Sequence, residues 1–535
     1  MINIINYRML GITTFQFKKN QFEKIKEYHF GLNWPVVYLI KNDKELYIGE
    51  TTSLYNRSNQ HYDNPERRKL DKMYVITDEE YNKSAALDIE SSLIQYIAAD
   101  GKFLLQNGNH GLQNHNYFDR EKYQAKFETI WKELQSISLV RNELVQIKNS
   151  DLFKYSPYKA LTDEQFFIAN QILYDIKHKV NNTFIIHGEP GTGKTILATF
   201  LVKSLKETEE TKDLSVGLVL PMTSIRKTLK KVFKSIKDLS SKMVIGPSDV
   251  SKKYDILIVD EAHRLRQRKN ITNFKSYDDT NKLLGLDKSA TELDWVMKCS
   301  DVQILFYDEN QSVRPSDVTP ASFSNLAVRE FKLHSQLRIG TGDDGEKYIK
   351  FIQDVFDLVA VNDDKFNNYD FKIYDDIHQM VSDIKDKNTE MDLCRMVSGY
   401  AWPWASKKDS SKHDIEIDGL KLKWNSVNHN WVYSENAINE VGCIHTVQGY
   451  DLNYAGVIIG PEISYDTEEK KFVIHPEKYM DSNGKRGVDN VKELERYIIN
   501  IYKTLLTRGI KGAYVYIVDN GLREYFEEAL SRKIN

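Results

Sequence analysis

The sequence predicts an α/β chain built in two styles: a small mixed α+β domain at the front, then two parallel-sheet lobes in series. Three observations carry this. Up to about Asp119, strand-like and helix-like stretches are interleaved, and two of the strand-like ones are joined by a polar turn. From Ala160 onward, continuous apolar runs alternate with helical stretches, as expected of parallel strands covered on both faces. After Leu333 the same grammar starts again. The length of 535 residues agrees, since it suggests about three or four compact units.

In order along the chain, Pro35–Ile40 reads as a strand, Lys41–Lys44 as a turn and Glu45–Gly49 as the partner strand of a hairpin. A helix is predicted over Leu54–Tyr62. A second is predicted over Ser84–Ala99, where Ala85, Leu87, Ile89, Leu93 and Ile97 recur at helical spacing. Arg120–Lys148 reads as a helical stretch, either a bridge between the halves or a helix packed on the front domain, with Phe127, Ile130, Trp131, Leu134 and Ile137 on one stripe. Thr183–His187, Val216–Leu220, Asp255–Val259 and Val302–Phe306 supply strands of the first lobe, and Gly456–Ile459 and Ala513–Val518 strands of the second. The expected division is a front domain over 1–118, a helical linker over 119–159, and lobes over 160–332 and 333–535.

Composition narrows the classes. Lys and Arg number 74 against 77 Asp and Glu, for a net charge of −3. That excludes a strongly basic, histone-like binder but not a nucleic-acid partner, for which a few local patches suffice. Cys299, Cys394 and Cys443 are scattered, so neither a disulfide framework nor a cysteine zinc cluster is expected. The N-terminus has no basic segment followed by an apolar run, and the longest apolar runs fall short of the ~20 residues a membrane span needs. A reducing, cytoplasmic setting without membrane contact is the expectation.

The strongest local signal is Gly188-Glu-Pro-Gly191-Thr-Gly193-Lys194-Thr195, which fits G-x-x-x-x-G-K-[ST] between a strand and a helix. Gly188, Gly191 and Gly193 let backbone N–H groups curl around phosphate oxygens, and the helix N-terminus adds partial positive charge. Lys194 is expected to reach the β- and γ-phosphates of ATP and Thr195 to ligate Mg²⁺. Asp260, at the end of an apolar strand, is expected in the Mg²⁺ coordination sphere. Glu261 is expected to orient the attacking water as general base. NTP hydrolysis follows from this local chemistry.

Further motifs stand in order around that loop: Leu161-Thr-Asp-Glu-Gln165, Tyr307-Asp-Glu-Asn-Gln311, Gln336-Leu-Arg338, His445-Thr-Val-Gln-Gly449 and Leu505-Leu-Thr-Arg508. From about Ala160 to the C-terminus the chain resembles superfamily 1 helicases, whose two lobes are RecA-like. Asp308–Asp317, Ala401-Trp-Pro-Trp404, Trp424-Asn425 and Ile458-Ile-Gly-Pro461 are similar to a bacterial helicase-like group related to the helicase part of Schlafen proteins. The resemblance implies that Gln165 reads adenine and that Gln311 senses the γ-phosphate. It implies Arg338 and Arg508 as arginine fingers and Gly449 as a contact to nucleotide or strand. Arg226, Lys227, Lys230, Lys231, Lys234 and Lys237 lie where such proteins touch the strand backbone; the alternative is a surface helix with solvated lysines. Trp402, Trp404, Trp424 and Trp431 are either base-stacking or core residues.

At the front, Val37-Tyr38 and Tyr47-Ile48-Gly49 stand on the two arms of the hairpin. Arg57 and His61 follow at i, i+4, then Glu90 on the next helix and Asn107 beyond it. From about Trp34 to Asn114 this spacing resembles the GIY-YIG nuclease family, with one departure: the first motif reads Val36-Val37-Tyr38, without its Gly. The resemblance implies that Glu90 holds a divalent metal, Mg²⁺ or Mn²⁺, and that Tyr38, Tyr47 or His61 helps to activate water. Arg57 would neutralise the phosphate, and Asn107 would brace the site.

The resulting expectation is a metal-dependent endonuclease tethered to an ATP-driven nucleic-acid motor. DNA is placed before RNA as substrate, antiphage defence is the implied role, and a second copy or a partner protein is left open. Two alternatives stand beside it: an ATP-switched nucleic-acid binder with a degenerate front domain, and an RNA-directed nuclease.

Overall fold

A computed structural model describes residues 10–108, 117–308, 311–312, 314–337, 339, 344–360, 366–427, 430–447, 450–486, 488 and 490–534. The chain divides into two compact units. The first comprises Met1–Lys177, Thr195–Leu214 and Thr228–Met243; the second comprises His178–Lys194, Ser215–Lys227 and Val244–Asn535.

In the first unit, strands β1 (Leu10–Gln16), β2 (Val36–Lys41), β3 (Glu45–Thr51), β4 (Lys72–Asp78) and β5 (Leu104–Leu105) form one sheet in the order β1-β4-β2-β3-β5. Only the β3–β5 pair is parallel. The predicted hairpin is β2–β3, and its register sets Tyr38 opposite Gly49. Its turn is held by Asn42, whose side-chain oxygen accepts from the backbone N–H of Lys44 at 2.9 Å and of Glu45 at 2.7 Å. Alternation along β2 sends Val36, Tyr38 and Ile40 into a core shared with α1 (Phe22–Glu27) and α2 (Leu54–Asp63). α3 (Lys83–Asp100) lies against β2 and β3. Asn82 caps its start by accepting from Ala85 N, and Gly101 ends it with φ of 64°, a left-handed turn that only Gly adopts without penalty.

The predicted helix over Arg120–Lys148 is two helices, α4 (Arg120–Ser136) and α5 (Leu144–Asn149). The break falls where Ser138 takes φ of 56°, and Ile137, expected on the buried stripe, is 43% exposed. Phe127, Ile130, Trp131 and Leu134 are buried as expected. The Asp100 carboxylate accepts from Arg141 N, Asn142 N and Asn142 Nδ2, tying this connection to the end of α3. The unit also holds α6 (Asp151–Lys154), all but the last residue of α7 (Asp163–His178), most of α8 (Lys194–Glu207) and the later part of α9 (Thr223–Lys234).

The second unit contains two larger sheets. One joins β6 (Thr183–Gly188), β7 (Val216–Val219), β8 (Val244–Ile245), β9 (Tyr254–Val259), β10 (Ser300–Tyr307) and β11 (Arg329–Leu333) in the order β11-β6-β10-β9-β7-β8, all parallel. The other joins β12 (Asp370–Tyr374), β13 (Cys394–Ser398), β14 (Ile415–Ile417), β15 (Leu420–Trp424), β16 (Glu440–Cys443) and β17 (Leu452–Ile459) with a late strand (Gly509–Ile517) lying between β12 and β17. Only β14–β15 is antiparallel. A separate hairpin pairs β18 (Ile463–Asp466) with β19 (Lys471–Ile474). Every strand predicted here is present, each as a nearly unbroken buried run. Among the described residues, no helix is long and apolar enough to cross a membrane.

Candidate functional site

The phosphate loop follows the end of β6. Gly191 and Gly193 have φ of 88° and 78°, and a Cβ on Gly188 would lie 2.6 Å from Thr192 Oγ1, so the loop closes only with glycine at these places. Lys194 is 6% exposed, and its ammonium donates to the carbonyls of Gly188 at 2.5 Å and Glu189 at 3.0 Å. The same Nζ lies 3.4 Å from Asp308 Oδ2, just past the end of β10.

That carboxylate also accepts from Gln311 Nε2 at 2.6 Å, and Gln311 Oε1 accepts in turn from Arg508 Nη2 at 3.5 Å. A polar chain thus runs from the phosphate loop to Arg508, two residues past helix Val491–Leu506. Arg264, buried nearby, donates to the Gln311 carbonyl at 3.0 Å. The loop is further held by Gln336 Nε2 to Pro190 O at 2.7 Å and Leu337 N to Gly191 O at 2.9 Å.

Asp260 is fully buried at the end of β9, accepting from Glu261 N at 3.0 Å. Glu261 sits in the left-handed region at φ 56°. Burial pushes its carboxyl up, but His263, Lys194 and Arg264 outweigh burial and hold it well below the usual carboxylate range. Its Oε2 lies 3.0 Å from His263 Nε2, at ion-pair distance but out of hydrogen-bonding alignment.

Thr195 is the second residue of α8. Gln165 is buried on α7, where its side-chain oxygen accepts from Thr162 N at 3.2 Å and Thr162 Oγ1 accepts from its backbone N–H, a helix-start pairing. Arg338 and Gly449 lie outside the described residues.

Beside these groups a cavity of about 690 Å³ is lined by Arg226, Arg266, Arg314, Tyr400, Trp404 and Lys407, among others. Arg314 Nη2 bonds to His445 Nδ1 at 2.8 Å, and His445 Nε2 to Asp481 Oδ2 at 2.6 Å. The Lys407 ammonium lies 5.3 Å from the Trp404 ring centre. Trp424 and Trp431 are core residues at 1% and 0% exposure, so of the four tryptophans only Trp402 and Trp404 present surface. Lys230, Lys231 and Lys234 are exposed on α9.

In the first unit, Tyr38, Tyr47, Arg57 and His61 converge. Tyr38 Oη lies 2.7 Å from His61 Nε2 and accepts from Arg57 Nε at 3.4 Å. The Tyr47 and His61 rings are 4.8 Å apart. Asn107 braces β3 from across the sheet: its Oδ1 accepts from Ile48 N at 3.0 Å and its Nδ2 donates to Ile48 O at 2.9 Å.

Glu90, on α3, feels the Arg57 charge and contributes to the field at Tyr38. Burial and then the neighbouring Glu50 carboxylate push it up to about 7, against the pull of Lys83 and Arg57. Glu50 is in turn paired with Lys83. Among the described residues, no three His, Cys, Asp or Glu side chains gather into a metal cluster. The carboxylates that would face a divalent ion here are Glu90 and the neighbouring Glu50. Two carboxylates would suit an ion completed by phosphate oxygens and water, since a cation there offsets both the burial and the Glu50 charge that raise Glu90.

Sequence reasoning did not assign roles to Glu50, Arg67, Asp308 or Arg264. Glu50 directly follows the second strand motif, and Asp308 stands inside a quoted one, so both were within reach. Arg67 lies in the run Glu66-Arg67-Arg68-Lys69, where nothing marks one cation from the next.

A parallel sheet with a glycine loop at the end of β6, Asp260-Glu261 at the end of β9 and Arg508 bonded to Gln311 is the arrangement of a helicase-like P-loop NTPase. Residues 181–519 match the family model described as Schlafen group 3, DNA/RNA helicase domain, and the chain belongs to that family. It is 29% identical over 407 residues to the uncharacterized protein YPL245W of Saccharomyces cerevisiae, covering 67% of this chain and 87% of the relative. Among solved structures, Pif1 helicase from Bacteroides in complex with ADP-AlF3 and ssDNA matches at 14% identity, 66% of this chain, 92% of that chain and a TM-score of 0.28. Pif1 helicase from Candida albicans matches at 11% identity, 69% of this chain, 98% of that chain and a TM-score of 0.28.

Proposed function

We propose that the chain is an ATP-driven nucleic-acid motor carrying its own GIY-YIG endonuclease domain, which cuts DNA in defence against invading genomes. The observation that carries the cutting half is the convergence of Tyr38, Arg57 and His61 on one hydroxyl, with Glu90 in the same field. Glu90 would hold Mg²⁺ or Mn²⁺, which supplies charge neutralisation at the scissile phosphate. Arg57 faces the same phosphate as a forked donor, and Tyr38 orients the attacking water.

In the motor, Lys194 leaves its loop carbonyls for the β- and γ-phosphates, with Thr195 and Asp260 around Mg²⁺ and Glu261 aligning the water. Gln165 reads adenine. Gln311 and Arg508, already bonded, carry the state of the γ-phosphate between the two sheets, with Arg338 as a second finger. The arginine-lined cavity takes the strand, with Trp404 as a stacking platform, and Gly449 is assigned a contact to nucleotide or strand.

Cleavage of plasmid DNA by wild type and Glu90→Gln, with Mg²⁺ or Mn²⁺ and with or without ATP, tests this. Metal-dependent cutting by wild type alone supports the nuclease, and equal inactivity of both favours an ATP-switched binder. The description of the helicase-domain family names RNA beside DNA, so RNA is the alternative substrate; labelled RNA in parallel separates the two.

A further inference from the structure

Arg67 holds two contacts at once. Its guanidinium carbon lies 3.5 Å from the centre of the Tyr47 ring, and its Nη1 lies 2.9 Å from His61 Nδ1. A guanidinium has donors and no acceptor, so His61 Nδ1 must accept and carries no proton. The remaining nitrogen of a neutral imidazole, Nε2, then carries the hydrogen, and it lies 2.7 Å from Tyr38 Oη. Tyr38 therefore accepts from His61, and it also accepts from Arg57 Nε. With both acceptor sites of the hydroxyl taken, its own hydrogen is free to point only at a third partner.

Resting on the nuclease reading above, we infer that Arg67 is a positioning residue: it locks His61 as the Nε2–H tautomer, so that His61 donates to Tyr38 and leaves the Tyr38 hydroxyl hydrogen for the phosphate or the nucleophilic water. His61 is then not a base in this site while Arg67 is bound to it. Two further facts agree. Burial, then Arg67 and Arg57, push His61 down to about 3, so the ring stays neutral. Burial raises Tyr38 well above the usual phenol range, so it retains the proton the relay directs. Tyr47 acts as the platform that fixes the plane of the guanidinium, a task a lysine cannot copy.

The test is nitrogen-15 NMR on full-length protein labelled at histidine. His61 is identified as the ring absent from His61→Gln, one of the 13 histidines. The expected result is an Nε2–H His61 that does not titrate between pH 5 and 8. In Arg67→Leu it acquires Nδ1–H population, and DNA-cleavage kcat falls about tenfold to a hundredfold, the range for losing an outer hydrogen-bond partner, with KM for DNA little changed. Undiminished ATP turnover and an unchanged melting profile report that Arg67→Leu folds; Arg67→Met repeats the tautomer measurement if it does not. An Nδ1–H His61 in wild type, or an identical tautomer in wild type and variant, overturns the inference. Absence of cleavage in wild type overturns the nuclease reading, while the tautomer measurement still decides the role of Arg67.

Discussion

The Tyr38 ring lies directly over Gly49: a Cβ built on Gly49 would sit 2.3 Å from the Tyr38 hydroxyl oxygen. The two are register partners across the β2–β3 hairpin. The position where the family's first Gly is missing is different. Val36 is fully buried in the core that α1 and α2 cover, and a side chain is accommodated there. Gly49→Ala is therefore expected to displace Tyr38 and abolish cutting. Overpacking should destabilise the fold by about 1–3 kcal/mol, read by thermal unfolding. Val36→Gly should leave the site geometry intact and lose only packing.

Lys194 and Asp308 hold each other at 3.4 Å in a buried setting. Lys194→Ala should lower ATP turnover by at least about a hundredfold, because the ammonium would hold the β- and γ-phosphates during transfer. Wild-type turnover in that variant would refute the assignment.

Gln311 touches Asp308 on one side and Arg508 on the other. Gln311→Ala is expected to uncouple the motor: ATP binding, read by a fluorescent nucleotide, stays near wild type, while stimulation of ATP turnover by single strands disappears.

Glu462 is fully buried, with Oε1 accepting from Tyr502 Oη at 2.5 Å and Oε2 without a partner among the described residues. Burial pushes it up to about 7 from an ordinary 4.5. A raised acid favours the folded state when protonated, so its stabilisation is complete below pH 4.5 and is lost as pH rises through about 7. The loss is of order 3 kcal/mol. Denaturant midpoints of wild type should fall over that window relative to Glu462→Gln, which cannot ionise; parallel curves would contradict the assignment.

The strands of the second unit were legible because parallel strands buried on both faces are unbroken apolar runs. β4 was not read, although Met73 to Asp78 are all buried. It pairs with β1 and β2 rather than with a chain neighbour, so no hairpin turn announces it. β1, LGITTFQ, is half polar and fully buried nowhere. At the sites, residues inside motifs were legible because spacing on one helix or hairpin fixes which side chains meet, as with Arg57 and His61. Arg67 was not, because its meeting with Tyr47 and His61 depends on a short helical turn between α2 and β4 that no periodicity predicts.

The central claim is that a carboxylate on α3 is required for cutting by a chain whose second unit turns over ATP. The most direct measurement is cleavage of supercoiled plasmid and of labelled RNA by wild type and Glu90→Gln in Mg²⁺, with ATP turnover followed in the same tubes. The account predicts that wild type cuts DNA, that Glu90→Gln does not, and that both hydrolyse ATP equally. Cutting by Glu90→Gln at the wild-type rate, or no cutting of either substrate by wild type, would contradict it.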